Sequence, residues 1–298
     1  MNLRNNAVQT KPNKKMSLSP IIEVTELLII YRNPGVLIFD AGSGKNARSN
    51  YEAEHLEGAF FVDLDTQLAA IRSDAANGGR HPLPAIAVFA ETLTALGISK
   101  HDHIIIYDDK HGSNAAARFW WMLRSAGHEK VQVLNGGLQQ AKKLHFPLSS
   151  KTEQVKLAAA PYQADRWILP MVEMNEVEKM SQDTDHLVID VRDPQRYAGI
   201  TEPIDLVAGH IPGAINIPFT ENMNEEGMFL APGELKNKYE KKFGAVRAGN
   251  IIVHCGSGVT ACHTLLAMTY AGIATPALYV GSWSEWSRNH KKIETSAN

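Results

Sequence analysis

Short aliphatic runs separated by polar, Gly- and Pro-containing stretches set the rhythm of this chain, and four features of the first half return in the same order in the second. VLIFD at 36–40 is matched by LVIDV at 187–191, each an apolar run carrying a carboxylate (Asp40, Asp190) at its end, the pattern of a strand buried on both faces. HLEGA at 55–59 is echoed by HIPGA at 210–214, IIIYD at 104–108 by IIVHC at 251–255, and LNGG at 134–137 by YVGS at 279–282. The offsets run from 145 to 155 residues, a drift that loop insertions account for, and mark a tandem duplication. Helix-like stretches at 113–125 and 259–270 lie between the runs. This βα alternation predicts the α/β class, with each half a mainly parallel sheet flanked by helices.

The pattern divides the 298 residues into a disordered tail at 1–16, a first domain at 17–148, a connecting segment at 149–170 that repeats in neither half, and a second domain at 171–298. That length suffices for two cores. Residues 118–123 (RFWWML) are expected to pack the first core, and Trp283 and Trp286 to fill space under the second sheet.

Composition narrows the function. Thirty Lys and Arg against 32 Asp and Glu leave a formal charge of −2, which supplies no basic field for nucleic acid or an anionic membrane surface. No apolar run is long enough to span a bilayer, and the basic tail lacks the apolar stretch of a secretory signal, so the expected location is cytoplasmic. Two cysteines, Cys255 and Cys262, make neither a disulfide framework nor a metal-site spacing, and no metal or organic cofactor is implied.

The halves differ where the third matched run ends. The first has Asp108-Asp109-Lys110-His111-Gly112-Ser113, the second Cys255-Gly256-Ser257-Gly258-Val259-Thr260. In open α/β sheets ligands sit beyond the carboxyl ends of the strands, and a strand turning through a Gly-rich loop into a helix aims several backbone N–H groups at one point. A thiol at that point has its thiolate stabilised by the amides and the positive helix terminus, so Cys255 is expected to be a nucleophile near neutral pH. Gly256 and Gly258 let the backbone curl around the sulfur. Cys262, about one turn into the helix beside Ala261, Leu265 and Leu266, fits core packing.

The cysteine loop, the paired HxxGA segments at His55 and His210 and the tandem arrangement resemble the two-domain rhodanese family of sulfurtransferases, over about residues 17 to 290. The resemblance implies a non-catalytic first domain, in keeping with Asp108 opposite Cys255. It also implies a six-residue loop, including Gly256, Gly258, Val259 and Thr260, that cradles a cysteine persulfide. Cys255 then takes a sulfane sulfur from a small-molecule donor and passes it to a thiophilic acceptor, cyanide or a thiol. Thiosulfate-specific members carry basic residues directly after the cysteine, whereas Gly256 and Ser257 are neutral; the Cys-Gly-Ser-Gly-Val run is similar to that of the 3-mercaptopyruvate type. Thiosulfate is retained as a second donor. Ser257 is expected to hydrogen-bond the donor and assist proton movement as pyruvate enolate departs.

A donor carboxylate calls for the N–H fork of arginine. Matching the family motif places that role on Arg196, while Arg192, nearer the strand, is expected in a structural ion pair. His55 is carried over as the substrate-contacting histidine of the first domain. Two departures stand out. Family members of the mercaptopyruvate type often have a second arginine in a Glu-Pro-Arg stretch, but Glu202-Pro203 is followed here by Ile204; and the Asp expected nine residues before the histidine is Asn46. Two other readings compete. A His-Cys-x5-Arg phosphatase is disfavoured because Ala261 stands where the arginine belongs, and a non-enzymatic persulfide carrier would use the same thiol without turnover. Oligomeric state is not legible.

Overall fold

The computed structural model describes residues 18–156 and 160–296; the expected tail at 1–16 lies outside them. Strands β1 (Ile21–Ile22), β2 (Val36–Gly42), β4 (Ala59–Asp63), β5 (His103–Tyr107) and β6 (Val131–Leu134) form a five-stranded parallel sheet in the order β1-β6-β5-β2-β4, while β3 (His55–Leu56) pairs antiparallel with β7 (Leu148–Ser149). The second sheet is a shorter copy, order β11-β10-β8-β9, from β8 (Leu187–Asp190), β9 (Ile215–Asn216), β10 (Ile251–His254) and β11 (Ala277–Leu278), again parallel throughout. Register confirms the duplication: Asp40 stands opposite Tyr107 on β2 and β5, and Asp190 opposite His254 on β8 and β10. The central strands carry uninterrupted aliphatic residues because helices cover both faces; Ile104, Ile105 and Ile106 are fully buried.

The helices that follow the two variant loops, Ala115–Ser125 and Thr260–Tyr270, pack against each other. Each is held between its own sheet and its counterpart, so neither needs a polar face. Small residues at both starts, Ala115-Ala116-Ala117 and Thr260-Ala261-Cys262, permit the approach. Phe119, Trp120, Trp121, Leu265, Leu266 and Met268 therefore belong to one apolar cluster drawn from both sheets. Residues 118–123 thus pack a core shared by the two halves rather than the first core alone. Trp283 and Trp286 lie under the second sheet with Val188 and Ile252. The connecting segment is strapped to the first half: Tyr162 is buried beside His128, and the amides of Ile168 and Leu169 donate to the Ser125 carbonyl and hydroxyl.

Candidate active site

Cys255 follows β10 directly, and the chain turns through Gly256, Ser257, Gly258 and Val259 before the helix begins at Thr260. Gly258 has φ +73°, and a Cβ there would lie 2.5 Å from the Val280 carbonyl oxygen, so glycine is required. The Ser282–Trp286 helix clamps the loop from beneath: the amides of Trp283 and Ser284 donate to the carbonyls of Cys255 and Gly256, and the Cys255 amide donates to the Ser282 hydroxyl. Among the described residues, the amides of Gly256, Ser257, Gly258 and Val259 donate to no protein acceptor.

The corresponding nest in the first half is filled. The Asp108 carboxylate accepts from the amides of Lys110, Gly112, Asn114 and Ala116 at 2.7 to 3.2 Å. One loop satisfies its donors with its own side chain, while the other leaves them open to an anion.

A cleft of roughly 470 Å³ opens over Cys255, and both halves line it. The second half contributes Arg196, Gly256, Ser257, Val259 and Thr260, as the sequence led us to expect. The first half contributes Lys110, from the loop opposite the cysteine loop, and Asp65, Arg80 and His81, which the sequence pattern did not single out. Ser257 Oγ lies 2.8 Å from His81 Nδ1, and His81 Nε2 lies 3.2 Å from Asp65 Oδ1. Burial lowers the pKa of His81 below the ordinary 6.5; Asp65 opposes the shift, and Arg118 and Arg80 reinforce it. A neutral ring that donates Nε2–H to Asp65 leaves Nδ1 to accept from Ser257.

The loop bearing His81 is docked on the second half. Gly78 N–H donates to Glu285 Oε1 at 2.8 Å, Arg80 N–H donates to Ser284 Oγ at 3.0 Å, and a Cβ on Gly79 would sit 2.3 Å from the Gly281 carbonyl oxygen. Arg118 crosses the same interface. Its guanidinium is fully buried, with Nη1 donating to the Gly258 carbonyl at 3.2 Å and Nη2 to the His81 carbonyl at 3.0 Å. It thereby couples the cysteine loop to the histidine loop. No carboxylate pairs with it among the described residues; burial lowers its pKa, and the neighbouring Cys262 and Cys255 oppose that shift.

Arg192 is held by Asp190 at 2.6 Å and Glu202 at 3.2 Å and lies over the Trp283 ring, the structural pair expected of it. Arg196 reaches the cleft while pairing with Glu202 at 2.7 Å and Asp205 at 3.3 Å. His55 does not reach it. Its ring is fully buried, 2.6 Å from the Tyr51 carbonyl and stacked on Tyr51, and His210 repeats the arrangement with Tyr197. The paired HxxGA motifs are thus a structural feature of each half, and the expectation of a substrate contact at His55 is corrected; Asn46 loses its significance with it. Gly258 turns its carbonyl inward, to Arg118 and the Cys262 thiol, rather than into the cleft. Burial pushes the Cys262 thiol up to about 12, which leaves it a packing group.

Two duplicated α/β domains, with a cysteine in an amide nest at the end of a central strand in the second, define the class. The chain belongs to the rhodanese family: the model of the rhodanese-like domain matches residues 23–144 and again 173–289. The chain is 34% identical over 277 residues to a probable 3-mercaptopyruvate sulfurtransferase of Pseudomonas aeruginosa, covering 91% of this chain and 96% of that protein. It is 36% identical over 262 residues to the thiosulfate sulfurtransferase of Cricetulus griseus, covering 85% of each. Among solved structures, the 3-mercaptopyruvate sulfurtransferase of Leishmania major superimposes with a TM-score of 0.73 at 28% identity, covering 90% of this chain and 74% of that one. Among the described residues no helix is long and apolar enough to cross a membrane, and no cluster of side chains has the composition of a metal site.

Proposed function

We propose that the protein is a sulfurtransferase that moves a sulfane sulfur from 3-mercaptopyruvate, through a persulfide on Cys255, to cyanide or a thiol. The observation that carries the choice of donor is the Ser257–His81–Asp65 chain beside the thiol. Thiolate attack on the donor sulfur forms an S–S bond and breaks the C–S bond, whose electron pair leaves as pyruvate enolate. The enolate must be protonated to leave as pyruvate. Neutral His81, acting through the Ser257 hydroxyl, takes the donor's thiol proton and returns it to the methylene carbon, while Asp65 holds the transient imidazolium. The remaining persulfide anion is held by the free amides of the 256–259 loop, and the acceptor then removes the outer sulfur in a second displacement.

Thiosulfate is the second donor in this reading, because Arg80, Lys110 and Arg196 make the cleft cationic. Sulfite leaves with no proton to collect, so the relay has no task with that donor. In this account residues 17–148 supply the proton relay, and 171–298 the nucleophile and Arg196. The setting is cytoplasmic, where thiol acceptors are abundant.

Steady-state transfer to cyanide with both donors tests the proposal. A higher kcat/KM for mercaptopyruvate supports it, and so does a Cys255 peptide heavier by one sulfur atom after donor alone. Turnover undiminished in Cys255→Ser would overturn it, and turnover absent from wild type would leave the persulfide-carrier reading.

A further inference from the structure

We propose that Arg80, a first-domain residue, is the second arm of the fork that binds the donor carboxylate, standing in for the arginine that Ile204 replaces. The proposal rests on mercaptopyruvate being the donor. Ile204 is exposed at the cleft edge and offers the carboxylate nothing. Arg80 reaches in from the opposite domain. Its Nη2 lies 3.1 Å from the point that a Cβ on Gly256 would occupy, and Arg196 Nη2 and Nη1 lie 3.5 and 3.7 Å from the same point. Two guanidinium groups from two domains therefore flank one position beside Cys255, and only a glycine leaves it open.

A single buried carboxylate orients the pair. Asp205 Oδ1 accepts from Arg80 Nη1 and Oδ2 from Arg196 Nη2, each at 3.3 Å, while Arg288 Nη1 also holds Oδ1 at 3.1 Å. These bonds leave Arg80 Nη2 and Arg196 Nη1 without a protein acceptor among the described residues. Charge agrees with geometry. The connected network holds four guanidinium groups, Arg80, Arg192, Arg196 and Arg288, against three carboxylates, Asp190, Glu202 and Asp205. The excess of one positive charge suits a donor with one carboxylate. Pinning of the 78–80 backbone on the Ser282–Trp286 helix fixes where Arg80 begins, so donor binding bridges the two domains.

The test compares mercaptopyruvate with its carboxylate-free analogue, mercaptoacetone, in wild type, Arg80→Ala, Arg80→Lys and the double variant Arg80→Ala/Ile204→Arg. Arg80→Ala is expected to raise KM for mercaptopyruvate roughly tenfold, the loss of one charge-assisted contact, with kcat nearly unchanged. At pH 8, where His81 stays neutral without the help of Arg80, mercaptoacetone kinetics should not move, Arg80→Lys should fall between, and Ile204→Arg should restore much of the loss. The affinity of pyruvate for Cys255→Ser protein, with and without Arg80→Ala, gives the same comparison free of turnover. Equal effects on both donors, or none, would overturn the role of Arg80. A wild-type enzyme indifferent to the donor's carboxylate would instead overturn the donor assignment beneath it.

Discussion

Ser257 of the second domain and His81 of the first meet across the cleft, Oγ to Nδ1 at 2.8 Å, so the hydroxyl beside the nucleophilic loop answers to a base that its own domain does not contain. In the proposed mechanism the duplication divides the work, with the thiol on one copy and the proton-handling group on the other. Substituting either partner separates the two donors. Ser257→Ala or His81→Ala should lower kcat for mercaptopyruvate on the order of a hundredfold and leave thiosulfate turnover within about threefold. Parallel assays on one preparation decide it, and equal losses with both donors would mean that the pair positions the loop instead of moving a proton.

His81 also sets a pH dependence. Its folded pKa lies below 6.5, so the neutral base persists as pH falls through the range in which an ordinary histidine titrates. The acid limb of kcat/KM for mercaptopyruvate should therefore lie below 6.5. Asp65 raises the pKa of His81, so Asp65→Asn should move that limb further down. A limb at or above 6.5 in the wild type would assign it to another group.

Arg118 is a buried cation that grips the carbonyls of Gly258 and His81 together. Arg118→Met keeps the apolar stem and removes the fork and its charge. The nest should lose its register against the His81 loop, slowing alkylation of Cys255 by iodoacetamide roughly tenfold near neutral pH. The circular dichroism spectrum of the variant should remain native. Unchanged alkylation would reduce Arg118 to a structural strut.

The first half contains a carboxyl group without the partner its counterpart has. Asp190 is fully buried, yet His254 and Arg192 outweigh that burial and hold it below the ordinary carboxylate range. Asp40 faces Gly42 at the position equivalent to Arg192, and burial, aided by Asp108 and Asp109, raises it to about 7. A pKa raised on folding contributes stability below the unfolded value of 3.8, and that contribution is lost as pH rises through about 7. Asp40→Asn should accordingly stabilise the protein more at pH 8 than at pH 5, the two pH values differing by at most about 3 kcal/mol. Urea melts at the two pH values give the difference, and a variant less stable at pH 8 would show that the ionised carboxylate is needed.

Repetition made the fold legible, because each aliphatic run had a partner at a nearly constant offset, and it exposed Cys255 as the place where equivalent loops diverge. The same repetition misled at His55: a motif present in both halves is what a shared scaffold needs, and the buried Tyr51 and Tyr197 stacks are that need. Asp65, Arg80 and His81 lie outside the four features that recur in the two halves. A comparison of the halves therefore passes over them, although Gly78-Gly79-Arg80-His81-Pro82 places two basic side chains in a turn-rich segment. Arg118 was hidden differently: within RFWWML it reads as the polar edge of an apolar helix, and only the packing of Ala115–Ser125 against Thr260–Tyr270 shows that this edge is interior.

Asp108 closes the nest of the first copy with four amide contacts. An apolar residue there would strand those donors at about 1–3 kcal/mol apiece, whereas the Asp108 carboxyl oxygens fill the nest from within the chain. The nest of the first repeat is therefore a lock already holding its own key. Its remaining loops were left free to become tools for the other half.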